Sequence, residues 1–306
     1  MKKEAVFIGI LLILCLLSII IGASLISKGK GKKIQPFEER GIAIINIYGS
    51  IETTSQPPGF FQGFKGADYI TKRLSRIAKD KRIKALVVRI DSPGGSIAAS
   101  QEIYKGILSL KKNGKKVVIS MADLACSGAY YIACAGDKII ANEGSIIGSI
   151  GVIFFAPNIE SLMGKIGVKF NVIKSGKYKD IGSIAREMTS EERGIIQGLI
   201  DKTFLQFFNA VSRERKIKED RLKEIADGRV FIGEEAKELG LIDEIGTFQD
   251  AIKEAARLSG IKGEPKIIDE REPMERIMEE ILSITGGIKP KIDTSAKLKY
   301  IWQPVY

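Results

Sequence analysis

The stretch KALVVRIDSPGGS (84–96) decides the architecture of this chain. Its first part, 84–90, is a run of apolar and β-branched residues, which predicts a buried strand. The turn DSPGG (91–95) follows, and SIAASQEIYKGILSLKKNG (96–114) then has the apolar spacing of a helix that ends at Gly114. A buried strand, a glycine turn and a helix in direct succession are the repeating unit of a parallel sheet covered by helices.

The same alternation of strands and helices continues on both sides of this unit. Thr189 and Glu192 have the spacing of a capping box at the start of the longest predicted helix. This order predicts an α/β fold with a mostly parallel sheet. The predicted strands are 41–49, 84–90, 116–123, two short strands within 137–155, and 168–173; the predicted helices are 68–80, 96–114, 126–136, 159–167 and 190–213, with more helical segments to about 260.

The composition restricts the chemistry that this chain can perform. Its 306 residues include 48 Lys+Arg, 37 Asp+Glu, 3 Cys and no His, which gives a formal charge of +11. The absence of His excludes a Ser-His-Asp triad, a Cys-His dyad and a His-ligated metal. Three Cys are too few for a disulfide framework or a Cys-rich zinc site. The basic residues of the main domain are mixed with acids along predicted helices, which indicates a solvated surface and no nucleic-acid partner.

An apolar segment at the N-terminus predicts membrane attachment. Residues 5–26 (AVFIGILLILCLLSIIIGASLI) contain no charge, and about 20 apolar residues span a bilayer core. The apolar core of a cleaved signal peptide is shorter, at roughly 7–15 residues. We therefore expect 1–27 to be an uncleaved transmembrane anchor and 28–40 a polar linker. More lysines follow the segment than precede it, and the positive-inside rule alone would place the following domain in the cytoplasm.

A hydrolase without His needs another general base, and a neutral Lys can take that role. The ordinary pKa of a lysine is about 10.4, and burial in an apolar site lowers it by several units. A Ser–Lys dyad therefore needs a Ser on a tight turn, a buried Lys, and amide donors for the developing oxyanion.

Ser127, in ADLACSGAYY (122–131), is the candidate nucleophile. It follows a predicted strand, precedes Gly128 and opens a predicted helix. A Ser in this position is by itself more often a helix cap. Cys126 is the competing nucleophile, but it lacks a His to activate it. We interpret Cys126 and Cys134 as small packing residues.

Three further segments offer the other parts of a site. The glycines of DSPGGS (91–96) provide either oxyanion-hole amides or an ordinary tight turn. GSIIGSIGV (144–152) places Ser145 or Ser149 where a hydroxyl can contact an ammonium group. KSGKYKDIGS (174–183) contains three lysines, and spacing alone does not say which is buried; they are Lys174, Lys177 and Lys179.

In this order the segments resemble the signal peptide peptidase (SppA) family of the Clp protease/crotonase superfamily. The resemblance covers about 41–264 and rests on SPGG, SGAYYIA, GSIGVI, SGKYKDIGS followed by REMTSEER, and GRVFIGEEAKELGLIDEIG (228–246). The separation 179 − 127 = 52 residues agrees with the short, single-repeat members, as does an N-terminal anchor.

The resemblance implies a Clp protease/crotonase-like fold and a role for each matching residue. Ser127 matches the nucleophile of the family. Lys179, which stands in the pattern S-G-x-x-K-D, matches the general base. Ser149 matches the serine that orients this lysine. The backbone amides of Gly128 and of the Gly94–Gly95 turn match the oxyanion hole. The resemblance does not decide whether Gly94 or Gly95 is the donor from that turn. Cys126 stands where the family usually has a small residue, which would make the enzyme sensitive to thiol reagents.

The implied function is an endopeptidase that cleaves remnant signal peptides and other apolar peptides through an acyl-enzyme, without cofactor or metal. Extended substrates would bind by strand addition. The resemblance also implies a ring- or dome-like homo-oligomer, in which the Ser and Lys of one site can come from neighbouring subunits. It places the catalytic domain outside the cytoplasm, whereas the count of flanking lysines favours the cytoplasm. We follow the placement that the resemblance implies, because a large translocated domain can outweigh the charge of short flanks.

Other functions remain compatible with the sequence. A crotonase-like acyl-CoA hydratase would need paired acids near the oxyanion hole and no anchor. A related membrane Ser–Lys protease that cuts a stomatin-like partner would share the mechanism, and an inactive membrane scaffold would keep the assembly with Lys179 charged. The tail, 265–306, carries a predicted amphipathic helix (274–284) and ends in three aromatic rings. It docks on its own domain or forms an oligomer contact.

Overall fold

The structure is a computed structural model that describes residues 40–53, 66–271, 275 and 298–301. The predicted anchor (1–27), nearly all of the linker and most of the predicted helix 274–284 lie outside the described residues. Within the described ranges, no helix is both long and apolar enough to cross a membrane.

Strands and helices alternate along the chain. The strands are β1 Gly41–Tyr48, β2 Ile83–Ser92, β3 Gly94–Ser96, β4 Lys116–Cys126, β5 Lys138–Ala141, β6 Ile146–Gly148, β7 Ile153–Phe154, β8 Val230–Ile232, β9 Glu244–Ile245, β10 Lys266–Ile267 and β11 Leu298–Ile301. The helices are α1 Ala67–Lys79, α2 Ile97–Lys112, α3 Gly128–Ala133, α4 Glu160–Lys165, α5 Ser190–Arg215, α6 Glu219–Ile225, α7 Gly233–Glu238 and α8 Phe248–Leu258.

The larger sheet is mostly parallel, with the strand order β10-β1-β2-β4-β5-β9. β4 runs beyond its neighbours, and its last residues, 124–126, pair in parallel with β6. β8 joins the far edge of β6 in the antiparallel direction, so the sheet as a whole is mixed. A separate antiparallel sheet has the order β3-β11-β7. Both sheets meet at the segments that follow β2 and β4, where the sequence predicts the site.

The central strands are buried on both faces. Leu86, Val88 and Ile90 of β2 belong to a large apolar cluster that includes residues of α1, α2, α3 and α5. Ala85 and Val87 belong to a smaller cluster with residues of α8. Since neighbouring side chains of a strand point to opposite faces, a strand between two helix layers must be apolar throughout. This explains the apolar run at 85–88, in which each fully buried aliphatic side chain contributes about 1.5–3 kcal/mol.

The predicted strand 168–173 is wrong. These residues have no regular structure, and all of them are exposed. Val168, Phe170 and Val172 alternate with polar residues as in a strand. A strand forms only beside a neighbour that pairs with its backbone, and no strand in the described part of the chain pairs with this segment. The apolar alternation therefore remains on the surface.

Three other predictions need smaller corrections around the site. The segment 137–155 holds three strands, since Ile153–Phe154 (β7) adds to the expected two. The turn 91–95 includes the start of β3, which pairs with a strand from the tail. The helix predicted at 126–136 covers only Gly128–Ala133, because β4 extends to Cys126. The capping box at the start of α5 is confirmed, with Thr189 and Glu192 each bonding the other's backbone amide.

Candidate active site

Ser127 lies between the last residue of β4 and the first residue of α3. Its φ is 54° and its ψ is −118°, a backbone conformation that costs a residue other than glycine about 1–3 kcal/mol. Hydrogen bonds fix it on both sides, because its amide donates to the Gly148 carbonyl at 2.7 Å and its carbonyl accepts from the Tyr131 amide at 2.9 Å. A sharp strand-to-helix turn of this kind sets a nucleophilic side chain apart from both elements.

β6 brings Ser149 to the same place. The Gly148 carbonyl that accepts the Ser127 amide belongs to the residue directly before Ser149. Ser149 also has a positive φ, 49°, and its amide donates to the Arg229 carbonyl at 2.8 Å. The alternative, Ser145, uses its hydroxyl to close a turn, where it donates to the Ala122 carbonyl at 2.5 Å. Of the two serines, Ser149 is therefore the one next to the nucleophile turn.

The two glycines of the SPGG turn present their amides differently. The Gly94 amide donates to Ser92 Oγ at 3.1 Å, and the Gly94 carbonyl accepts from the Ile51 amide at 2.9 Å. The N–H and C=O of one trans peptide point in opposite directions, so the Gly95 amide points away from Ile51. A Cβ on Gly95 would lie 2.1 Å from the Ile51 carbonyl oxygen, so this position has no room for a side chain.

A strand of the tail lies on the side to which the Gly95 amide points. β11 is antiparallel to β3, with Tyr300 opposite Gly95, and antiparallel to β7, with Leu298 opposite Phe154. β11 also contacts α3, the helix that begins directly after Ser127. The space between β3 and β7, here called the strand slot, therefore accepts an extended chain that pairs on both edges.

Lys179 is not brought to the two serines within the described chain. It is exposed, and its backbone amide donates to the Gly176 carbonyl at 3.1 Å. None of its described contacts reaches Ser127 or Ser149. The other two lysines of this segment pair with carboxylates: Lys174 with Asp180, at 2.5 Å, and Lys177 with Glu191.

The two described cysteines are packing residues, as the sequence predicts. Cys126 and Cys134 are buried, and burial raises the pKa of each thiol to about 12. The Cys126 thiol also contacts the Ile146 carbonyl at 3.5 Å. Since the thiolate is the reactive form, both groups are unreactive at neutral pH. The expectation that Cys126 makes the enzyme sensitive to thiol reagents is therefore wrong for the folded chain.

Sequence reasoning missed the ion pairs that surround the lysine segment. The Arg186 guanidinium bonds both Asp180, the residue after Lys179, and Glu192 of the α5 capping box. The segment REMTSEER contains two of these residues, and the sequence marks it only as part of a family pattern. Asp180, Arg186 and Glu192 are each six positions apart in the sequence. Outside a helix, this spacing does not predict that their side chains are in contact.

Known families and relatives match this chain over most of its described part. The model of peptidase family S49 matches residues 109–262, and the Clp protease model matches 64–145. A Synechocystis protein named "Putative protease" is 45% identical over 215 residues, which cover 69% of this chain and 75% of that protein. One of the same name from Methanocaldococcus jannaschii is 36% identical over 273 residues, 88% of this chain and 86% of its own. The Enterococcus faecium protein named "Putative signal peptide peptidase SppA" is 34% identical over 228 residues, 74% of this chain and 64% of its own.

The Clp protease-like α/β fold and these matches define the class of the protein, a serine peptidase. The chain belongs to peptidase family S49, the serine proteases of signal peptide peptidase type. The resemblance to the SppA family that the sequence motifs carry is thereby confirmed, and the substrates are peptides.

Proposed function

We propose that this protein is a membrane-anchored endopeptidase that cleaves remnant signal peptides and other apolar peptides with a Ser127–Lys179 dyad. The observation that carries the proposal is the strand slot. A peptide in this slot pairs with β3 on one side and β7 on the other, beside the turn that holds Ser127. Pairing through the backbone accepts many sequences, as strand addition does in other peptide-binding sites. The anchor (1–27) would hold the slot near the membrane, with the catalytic domain outside the cytoplasm.

The proposed reaction follows from the parts of this site. Ser127 Oγ attacks the scissile carbonyl while neutral Lys179 accepts its proton. The amides of Gly95 and Gly128 stabilise the oxyanion; Gly95 is favoured over Gly94 because the Gly94 amide already donates to Ser92. The lysine ammonium then protonates the leaving amine, and the same lysine activates water to release the acyl group. Ser149 orients Lys179. Because the base must be neutral, activity should rise toward alkaline pH.

We assign Lys179 to the site of a neighbouring subunit in a homo-oligomer. Two observations support this assignment. Lys179 has no described contact with the serines of its own chain, and the segment before it exposes a row of apolar side chains. Ile173 is fully exposed and Phe155 is 70% exposed. A neighbouring copy that covers this surface would remove the apolar side chains from water.

Alanine variants of the full-length protein test the dyad. Ser127→Ala and Lys179→Ala should each lower peptidase activity at least about a hundredfold, because each removes one partner of the proton transfer. Lys177→Ala is the matched control, two residues from the base, and should keep wild-type activity. Full activity in either dyad variant would refute the assignment, and a dead Lys177→Ala would show that the wrong lysine was chosen.

Mixing the two dead variants tests whether the site spans two subunits. In a 1:1 mixed assembly, a site is complete only where a subunit with Ser127 meets a neighbour with Lys179, which is about a quarter of the sites. Mixing should therefore restore up to about a quarter of wild-type activity after subunit exchange. If each site used the Ser and Lys of one chain, the mixture would remain as inactive as its components.

A further inference from the structure

We propose that Arg186 is a positioning residue for the catalytic base, because it ties the segment that carries Lys179 to the first turn of α5. This inference rests on the proposed role of Lys179. Arg186 does not itself contact the reacting groups in the proposed mechanism; it acts through Asp180, the residue that follows the base.

One guanidinium holds both carboxylates. Arg186 Nε donates to Asp180 Oδ2 at 2.9 Å and Nη2 to Asp180 Oδ1 at 2.8 Å. On the other side, Nη1 donates to Glu192 Oε2 at 2.8 Å and Nη2 to Glu192 Oε1 at 2.5 Å. Only the planar, five-donor fork of arginine can make two such paired contacts at once.

The Arg186 cluster (Asp180, Arg186 and Glu192) is more protected from water than the Lys177–Glu191 pair of the same segment. The side chains of Glu192 and Asp180 are 4% and 11% exposed, whereas those of Lys177 and Glu191 are 66% and 52% exposed. Hydrogen bonds from Arg186 hold the pKa of Asp180 well below its usual range and lower that of Glu192 to about 2. Both carboxylates therefore remain charged at any pH where a lysine base works.

The anchor point on α5 is held by several hydrogen bonds. Glu192 belongs to the capping box with Thr189, so its carboxylate is fixed by the helix backbone as well as by Arg186. Further along the same helix, Phe207 and Val211 are fully buried in the main core. The residues before Lys179, by contrast, have no regular structure from 168 to 174. The Arg186 cluster thus connects an otherwise exposed segment to a helix whose C-terminal part is packed in the main core. A fixed attachment of this kind is what an accurately placed base requires.

The test compares Arg186 variants of the full-length protein on a fluorogenic apolar peptide. Arg186→Gln should lower kcat about tenfold or more and leave KM within twofold, because the strand slot is intact while the base is misplaced. Arg186→Lys should recover part of the loss, since an ammonium can bond one carboxylate but not grip both. Arg257→Gln is the matched control: it breaks a similar two-bond pair, with Glu254 on α8, and should leave kcat unchanged.

Asp180→Asn separates positioning from helix stability. It weakens the links of Asp180 to Arg186 and to Lys174, and it leaves the Arg186–Glu192 pair and the α5 cap in place. The inference requires that this variant also lose kcat, while its melting temperature falls less than that of Arg186→Gln and its assembly size matches that of wild type. A kcat loss in Arg186→Gln alone would show that Arg186 only stabilises α5.

Two other results would overturn the inference. Arg186 and Phe154 of β7 line one open groove, so a raised KM with unchanged kcat would show that Arg186 contacts substrate. Wild-type kcat in both Arg186→Gln and Asp180→Asn, with Lys179→Ala inactive, would refute the positioning role and leave the dyad standing. An active Lys179→Ala would refute the dyad and this inference together.

Discussion

Ser127 is held at a φ that its own side chain disfavours, so its conformation stores strain that the hydrogen bonds of β6 and α3 offset. Ser127→Gly should therefore unfold at a higher temperature than Ser127→Ala, because glycine adopts this φ without strain. The difference in free energy of unfolding should be about 1 kcal/mol. Both variants should lack activity. Thermal unfolding monitored by circular dichroism measures the difference, and an alanine variant as stable as the glycine variant would contradict it.

Position 95 requires glycine because a side chain there would collide with neighbouring backbone, and not because of its φ. A Cβ there would meet the backbone of Ile51 at 2.1 Å, and backbone cannot move aside as a flexible side chain can. Gly95→Ala should cost about 1–3 kcal/mol of stability and lower kcat, because the amide that faces the slot is displaced. Gly144→Ala, at an exposed glycine with open space around it, is the control for both measurements. Unchanged kcat in Gly95→Ala would argue against this amide as the oxyanion donor.

The sequence predicts the chemistry of single residues better than their partners. A strand, a Ser and a Gly in succession predict the turn at Ser127, because strand ends and glycines leave local signals. The sequence does not indicate which SPGG amide is free, since that depends on Ser92 Oγ and on the distant Ile51 backbone. Nor does it predict the exposure of Lys179, which depends on packing between segments and between chains.

The first turn of α5 should make stability depend on acid pH. Hydrogen bonds from Arg186 hold the folded pKa of Glu192 at about 2, below the ordinary value of about 4.3 for an unfolded chain. A lowered folded pKa gives stability that is complete above the unfolded pKa and lost as pH falls toward the folded pKa. The melting temperature should therefore fall between about pH 4.5 and 2.

Arg186→Gln isolates the contribution of this cluster from that of other carboxylates. The melting temperatures of wild type and variant should differ clearly at pH 6 and by much less near pH 2, where the pH approaches the folded pKa of Glu192. A difference of the same size at pH 6 and pH 2 would mean that the stabilisation by Arg186 does not depend on the charge of its partners.

At the scale of elements, runs rich in apolar residues predict the central strands β1, β2 and β4, because burial on both faces leaves few polar positions. The segment 168–173 shows where this reasoning fails. Alternation of apolar residues indicates a face that must be covered, but it does not say whether a neighbouring strand or another molecule covers it. The short strands β3 and β7 depend on pairing with β11, some 150–200 positions away, and no local pattern indicates it.

For the whole molecule, the proposed function has the tail and the substrate compete for the same space. Removing residues 298–306 should lower the KM for a peptide about tenfold and leave kcat unchanged, because a strand of the same chain is always at high local concentration beside the slot. Steady-state kinetics measure this effect. Removal of Tyr306 alone, which keeps β11, is the control. An unchanged KM after the longer truncation would show that β11 does not compete with substrate.

The absence of His also affects the chemistry of the whole molecule. With +11 charge and no imidazole, the chain contains no side chain whose ordinary pKa lies near neutrality. Proton transfer in the proposed site depends on a lysine and on its surroundings in the assembled enzyme. In the proposed mechanism, the fold of one chain supplies the nucleophile turn, the amides and the slot, and a neighbouring copy would supply the base.

The strand slot has a further consequence for solubility. An empty slot would leave unpaired backbone groups along β3 and β7, and open strand edges are the surfaces through which proteins aggregate. If the slot binds substrate as proposed, every release of product would uncover these two edges. β11 is a segment of the same chain that can cover them again before a foreign strand arrives. The tail would then protect the enzyme from the same pairing by which the enzyme holds its substrates.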